Sequence, residues 1–429
     1  MFGFANFLLL ALFAAAVFDL IFALARGGGL RGALHGLWNT PHLLFGQQLA
    51  EWRLQLGRIL FAAGLAAYEI SVVFCNSMAR QNWAWVQGVM SPVLEWLAFL
   101  CFGAKILFGT RYTWRELLAG GALYFIARWV YFNSQNIWWI GIVVAVLAAK
   151  DVPLRHPLQV YFASGCAAMA AVLALHFAGI VAPDLTSERM GALRGTYGYG
   201  HPNTFGGLVF GLVLAYALLR AQKVRWVDCL LVFAVGVFLL VGPASRSAAL
   251  CTLALAVGLV FCRLRTGHSV PRWWPGTCAG MVGLTAAVSY LLPLLVIKVG
   301  PWNNDIGPAW LAKLDSLLTC RISLTWMAYR LLDVKIAGQV FNWPTVDNSF
   351  AFALFQFGPV VAALLGILFA AALLGHAKQG RRVEVCCLFA MLAYAYMEVQ
   401  PFHLTTNPTA LLLCGAVFAQ TSARWQKIE

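Results

Sequence analysis

Arg194–Gly195–Thr196–Tyr197–Gly198–Tyr199–Gly200–His201–Pro202–Asn203 is a short polar island, and an apolar run begins directly after it at Thr204. Glycines at 195, 198 and 200 let the backbone turn tightly or approach a ligand closely. Pro202 falls at the first-turn position, where a helix loses nothing by lacking an N–H. The stretch therefore reads as the cap of a membrane-spanning helix. It carries a cation, an imidazole and an amide into that cap. The plain alternative is a polar loop that only joins two spans.

The rest of the chain agrees with a membrane setting. Of 429 residues, 61% are hydrophobic and only 11% charged. Apolar runs of about 17–25 residues, the length that crosses hydrocarbon as a helix, recur from end to end. The expected fold class is an all-α polytopic membrane protein forming a single integral domain over 1–429. The run 4–25 reads as a span and not as a cleaved leader, because no cation precedes it and Asp19 interrupts it. The 11 cysteines show no CxxC or His-spaced metal pattern, and most fall in apolar runs. Cys75 and Cys320 are the pair that could meet near one face as a disulfide.

Thirteen spans are expected, roughly 4–25, 59–76, 90–109, 116–133, 136–149, 157–182, 203–220, 226–242, 246–262, 277–298, 348–375, 383–399 and 408–423. The fifth is short, and losing one would leave twelve. The segment 26–58 reads as an amphipathic interfacial stretch anchored by Trp38 and Trp52. With the N-terminus outside, twenty of the 30 lysines and arginines fall in inner loops. Among them are Lys105, Lys150, Arg155, Arg220, Lys223, Lys378 and Arg381. The net charge of +14 is then mostly topology, and nucleic acid is not an expected partner. The segments 183–202, 299–346 and 400–407 lie outside, and the cations there need another account. Arg128 and Arg246, at or in spans, are functional-site candidates by position. Glu69 and Glu95 read as partners for Arg128 or Lys105 in structural ion pairs.

Four helices begin beside polar motifs on the outer side: at His201–Pro202–Asn203, at Ser245–Arg246–Ser247, at Asp347–Asn348–Ser349, and after Glu398–Val–Gln–Pro401–Phe–His403–Leu–Thr–Thr–Asn407–Pro408. Helix N-termini carry partial positive charge and free N–H groups, so with several arginines they suit an anion at the membrane surface. A diphosphate in a lipid headgroup fits in charge and in depth. Each residue also has a structural alternative. Arg194 and Arg321 suit lipid phosphate, Arg246 an interface anchor, and His201, Asp347 and Asn407 helix capping.

These motifs resemble those of the Wzy-type polysaccharide polymerases and the related O-antigen ligases. Gly198–Tyr–Gly–His201–Pro–Asn203 is similar to a G-x-G-H-P-N element, and Ser245–Arg246 to a shared Ser-Arg pair. Leu314–Asp–Ser–Leu–Leu–Thr–Cys–Arg321–Ile is similar to a segment that opens an outer-loop helix. Val346–Asp347–Asn348–Ser349–Phe350 is similar to a D-N-S-Y element, with Phe350 in place of Tyr. Glu398 and Asn407 match the last short loop. The resemblance covers roughly 190–410, five motifs in order; the first half matches only in hydropathy.

The resemblance implies a GT-C-like bundle of twelve or thirteen spans. It implies inverting, metal-independent glycosyl transfer without a cofactor, on undecaprenyl-diphosphate-linked glycans at the outer face of the cytoplasmic membrane. Its partners would be membrane lipid, a chain-length regulator and a flippase. Arg194, His201, Arg246 and Asp347 become catalytic candidates. Tyr199, Asn203, Arg321, Asn348, Glu398 and Asn407 become substrate-binding candidates. The arginines suit the departing diphosphate. The base is His201 or Asp347, with Glu398 third, and the sequence does not choose. Trp83, Trp85, Tyr197, Tyr199 and Trp302 are aromatics placed to stack on sugars or to anchor at the interface. A ligase acting on a terminal acceptor is the alternative within this chemistry. A transporter of a lipid or anionic solute is the alternative outside it, although no internal repeat is evident.

Overall fold

Apolar length dominates this chain's architecture. The computed structural model describes residues 2–25, 29–45, 51–181, 187–189, 192–265, 270–296 and 307–418. Eight described helices are long and apolar enough to cross a membrane: Asn6–Ala25, Glu51–Cys75, Val86–Phe108, Arg155–Phe177, Pro202–Leu219, Arg246–Leu264, Trp274–Leu295 and Pro359–Lys378. Ile137–Ala148, Trp226–Val241 and Pro408–Val417 are apolar but shorter. Arg382–Met397 has 16 residues, about 24 Å of helix against about 30 Å of hydrocarbon. Eight of the expected spans thus fall on helices long and apolar enough to cross, and the other five fall on these shorter helices and on Trp114–Ser134. The fold is helical except for two short antiparallel ladders, His42–Leu43 with Arg111–Tyr112 and Ser187–Arg189 with Ala192–Arg194.

Small residues set the packing, as expected where lipid removes the hydrophobic drive between helices. Gly64 of Glu51–Cys75 faces the Ala98 backbone and the Phe102 ring so closely that a Cβ would lie 3.0 Å from each. Pro202–Leu219 runs through the interior with Gly206, Gly207 and Gly211 all buried. Ile137–Ala148 is buried from Trp139 to Ala148, as a helix apolar on every side must be. Asn6–Ala25 instead exposes Phe7, Leu10, Phe13 and Ile21, a face suited to lipid.

Several boundaries differ from the sequence reading. The span expected at 59–76 starts at Glu51, so 51–58 is continuous with that helix, while Gly29–Asn39 is a separate amphipathic helix. The span expected at 348–375 is broken. A short helix Ser349–Phe352 runs into a π-turn Ala353–Phe357, and Pro359–Lys378 starts afresh. Gly358 makes the break with φ +87°, a conformation closed to most side chains. A Cβ there would strike the Ile336 carbonyl oxygen, and one on Gly338 would strike that of Gln356. Two backbone segments therefore touch directly, joined by Gln339 N–H donating to Gln356 O at 3.2 Å.

The buried charges also rearrange. Glu69 and Glu95 pair with neither Arg128 nor Lys105. Arg128 donates to Asn6 Oδ1 from Nε at 2.8 Å. Glu69 is 1% exposed, and its Oε1 has no hydrogen-bond partner among the described residues. Lys105 lies within the helix Ser91–Phe108 and Lys150 in the turn after Ile137–Ala148, and both are buried. Lys105 Nζ donates to Thr110 Oγ1 at 2.6 Å, and Lys150 Nζ lies 3.4 Å from Glu116. Cys75 and Cys320 are not joined as a disulfide.

The bundle has two chemically distinct ends. Arg155, Arg220, Lys223 and Glu384 line one cavity at one end. Arg194, Asn203, Ser245, Arg321 and Glu398 gather at the other. Pro202–Leu219 joins the two ends, 18 residues or about 27 Å.

Candidate functional site

The site is built from element ends that hold one another. Asp315 is fully buried and fixes the start of the helix Arg321–Leu331. Its Oδ1 accepts from Ile322 N at 2.7 Å and Ser323 N at 3.2 Å, and its Oδ2 from Ser323 Oγ at 2.8 Å. That anchor places Arg321 at the first helical residue, beneath the end of Arg382–Met397. Arg321 Nε donates to Met397 O at 2.9 Å and Nη1 to Thr319 O at 3.1 Å. Nη2 is left to face two carboxylates, Glu398 Oε1 at 2.9 Å and Asp347 Oδ2 at 3.4 Å.

Glu398 is the centre. It follows the last residue of its helix in extended conformation, φ −142° and ψ 150°, which turns its side chain off the helix axis. Oε1 accepts three hydrogen bonds: from Asn203 Nδ2 at 3.0 Å, Ser247 Oγ at 2.8 Å and Arg321 Nη2 at 2.9 Å. Its other carboxylate oxygen has no donor among the described residues. The carboxyl is 4% exposed. Burial raises its pKa above the usual carboxylate range, further helped by the Asp347 charge. The Arg321 charge and the donors from Ser247 and Arg321 oppose the rise without cancelling it.

Asn203 extends the network outward. Its Oδ1 accepts from Arg194 Nη2 at 3.0 Å, and Arg194 Nη2 also donates to Ala244 O at 3.2 Å. Ala244 sits at φ +50°, just before the helix Arg246–Leu264. Arg246 itself is exposed and makes no hydrogen bond or ion pair among the described residues. Of the four helices that begin at the polar motifs, its helix is the one without a side-chain cap, Ser245 at the N-cap position making no cap bond where His201, Asn348 and Asn407 each make one.

The structure brings together Arg194, Asn203, Arg321, Asp347 and Glu398, with Arg246 beside them. It gives the other candidates structural work. His201 Nδ1 accepts from Asn203 N at 3.1 Å as an N-cap. In a neutral ring that acceptor leaves the proton on Nε2. Asn348 caps with Oδ1, accepting from Phe350 N at 2.9 Å, and braces Ser289 Oγ and Tyr396 O with Nδ2, both at 3.0 Å. Asn407 accepts from Ala410 N at 3.2 Å and donates to Pro401 O at 3.0 Å. Tyr199 is wholly buried, packed on Phe205 in a cluster with Val73, Met169 and Val172. It is part of this core cluster, away from the surface. Tyr197 likewise stacks on Phe205 at 5.0 Å. Trp83 and Trp85 stack on each other at 6.5 Å, with Trp85 exposed. Trp302 lies outside the described residues.

Sequence reasoning quoted Asp315 and the two serines flanking Arg246 within motifs but gave them no role. Ser245 and Ser247 stand two apart across the start of one helix and lean on Asn203 and Glu398, at 3.5 Å and 2.8 Å. Their spacing around a helix start was the available signal. Beside the network lies an apolar cavity of about 80 Å³, lined by Ser349, Phe350, Met391, Pro401, Asn407 and Leu413 among others. Among the described residues no three His, Cys, Asp or Glu side chains are grouped to hold a metal ion. No protein family, curated protein or solved structure matches the chain on comparison.

Proposed function

We propose that the chain is a membrane glycosyltransferase that polymerises undecaprenyl-diphosphate-linked repeat units at the outer face of the cytoplasmic membrane. The observation that carries this reading is the state of Glu398. One oxygen is saturated by three donors and the other is without a donor, inside a rim of arginines at the end of the bundle away from the basic helix ends. A carboxylate with one oxygen locked and one open is a positioned proton acceptor, and a raised pKa brings it closer to the working pH. Glu398 thereby moves ahead of His201, whose ring is committed to capping, and ahead of Asp347.

The step proceeds as follows. An acceptor hydroxyl attacks the anomeric carbon of the lipid-linked sugar, and the bond from that carbon to the diphosphate oxygen breaks with inversion. The hydroxyl proton passes to Glu398, and undecaprenyl diphosphate leaves with the bonding pair. Arg246 is unpaired and meets the leaving charge, with the uncapped turn that it begins. Arg194 and Arg321 hold Asn203, Asp347 and Glu398 in register. The adjoining apolar cavity suits a hydrocarbon segment of the donor.

A second reading, a transporter of a lipid, draws support from the break at Gly358, since discontinuous helices frame many transport sites. Cells carrying Glu398→Gln in place of the native residue separate these. The proposal expects short lipid-linked units to accumulate and long glycan to vanish on a gel. Finished polymer held on the lipid carrier would mark a ligase. Units trapped on the inner side would mark a transporter, and a normal glycan ladder would defeat the proposal.

A further inference from the structure

The opposite end of the bundle carries a second polar cavity that the proposed chemistry does not use. It has a volume of about 200 Å³ and lies where three element ends meet. Leu154, Arg155 and Leu158 come from the start of Arg155–Phe177, Leu218, Leu219, Arg220, Gln222 and Lys223 from the end of Pro202–Leu219 and its turn, and Glu384 from the start of Arg382–Met397.

The charges are unevenly satisfied. Arg220 is spent on Asp228, 3.2 Å away. Arg155 and Lys223 make no side-chain hydrogen bond or ion pair among the described residues, and both are exposed toward solvent or headgroups. Arg155 opens a 23-residue helix whose N-cap, Leu154, offers no side-chain cap, so free N–H groups add to the positive side. Glu384 is different. It is 7% exposed, lines the same cavity and makes no hydrogen bond or ion pair with another described residue. Among the described residues only its own backbone N–H bonds it, with the Arg381 charge acting from nearby, and a buried carboxylate so thinly met is costly unless a further cation reaches it. The walls between are leucines.

We propose that this cavity binds the zwitterionic headgroup of an aminophospholipid from the adjoining leaflet. The phosphate lies against Arg155, Lys223 and the helix start, the primary ammonium against Glu384, and the glycerol end leaves over the leucines. A cavity of about 200 Å³ has room for a phosphate and a two-carbon amine. A purely anionic headgroup leaves Glu384 unpaired. A trimethylated amine has no N–H to give it. This reading is independent of glycosyl transfer.

The full chain, purified in detergent, is exposed to equal concentrations of phosphatidylethanolamine, phosphatidylcholine and phosphatidylglycerol, and retained lipid is counted by native mass spectrometry. Phosphatidylethanolamine should be held about tenfold or more above phosphatidylcholine, the scale of one charge-assisted hydrogen bond. Glu384→Gln should erase that preference while keeping phosphate-dependent binding. Lys223→Ala with Arg155→Ala should weaken all three lipids. Equal retention of phosphatidylethanolamine and phosphatidylcholine by the native chain overturns the proposal whatever the variants do. So does a Glu384→Gln protein that keeps the preference. Water-soluble glycerophosphoethanolamine should displace the lipid, which places recognition in the headgroup. Its binding without retention of any phospholipid would identify a soluble ligand and overturn the lipid assignment.

Discussion

Asn203 Nδ2 donates to Glu398 Oε1 at 3.0 Å across 195 residues of sequence. One amide thereby ties the start of an interior helix to the end of another, and with its Oδ1 it receives Arg194. Asn203 can do both because an amide is donor and acceptor at once. Asn203→Asp puts a second carboxylate against Glu398 and removes the donor. It should lower the unfolding midpoint of the detergent-purified protein. The loss should correspond to about 1–3 kcal/mol, the penalty for a buried polar group left unpaired, and long glycan should fail. An unchanged midpoint in a thermal melt would show that the amide bears no strain of this kind.

Arg321 is the member with the most bonds. Replacing it by Ala strands Glu398 without its cation, and losing one partner of a buried pair costs about 3–5 kcal/mol. Arg321→Lys keeps the charge but cannot serve Met397 O, Thr319 O and Glu398 together, since one ammonium replaces a planar fork. The expected order of melting temperature is native, then Lys, then Ala. A melt in which Ala equals native contradicts the pairing.

Arg246 should behave in the opposite way. It is exposed and bonded to nothing described, so Arg246→Ala should melt within about 0.5 kcal/mol of native, as surface changes do. Chain elongation should nevertheless fall by one to two decades, about 1.5–3 kcal/mol for a lost charge-assisted contact. Normal polymer from Arg246→Ala cells removes the residue from the mechanism.

The pH profile distinguishes the bases. Glu398 must be unprotonated to accept, and its pKa is raised. The rate should therefore fall as pH drops through that raised value, at a higher pH than an ordinary carboxylate would give. Because His201 caps its helix, His201→Asn should keep activity and leave the acid limb in place. An acid limb that disappears in His201→Asn would return the role to the imidazole. Turnover in excess chelator is also expected, since arginines meet the leaving charge.

Orientation can be read from thiols. Cys320 is exposed just before Arg321, so in a chain stripped of its other cysteines it should react with an impermeant reagent in intact cells. Lys378→Cys, at the other end of the bundle, should react only after lysis. The reverse pattern would place the Glu398 network in the cytoplasm.

Some of this was legible in the chain. Run length gave most helices, because hydrocarbon thickness acts on sequence directly. Pro202 after His201 announced a helix start, and His201 caps it. Hydropathy could not reveal the break at Gly358, since apolar residues continue on both sides from Phe350 to Leu373; the break is a matter of φ and of a neighbouring backbone. Nor could it show that Lys105 and Lys150 are buried, because a window average treats any cation as a loop residue. The burial of Tyr199 could not be read because glycines on both sides leave its direction undetermined. The pairing of Arg321 with Glu398 spans 77 residues, and no local pattern encodes it. The motifs gathered the right segments, and the structure divided their members into those that hold and those left open.

Gly338, packed on the Gln356 backbone, and Gly358, packed on the Ile336 backbone, bear on how this end of the protein can move. With no side chain between them, segment 335–339 rests on the helix break without a cushion, and any displacement of one reaches the other undamped. The short helix that starts at Ser349 and the long one that starts at Pro359 are thus separate levers on a shared fulcrum. One lever ends beside Glu398 through Ser349 and the other crosses toward Lys378. Bulk arriving at the loop would tilt the first without lengthening or unwinding the second.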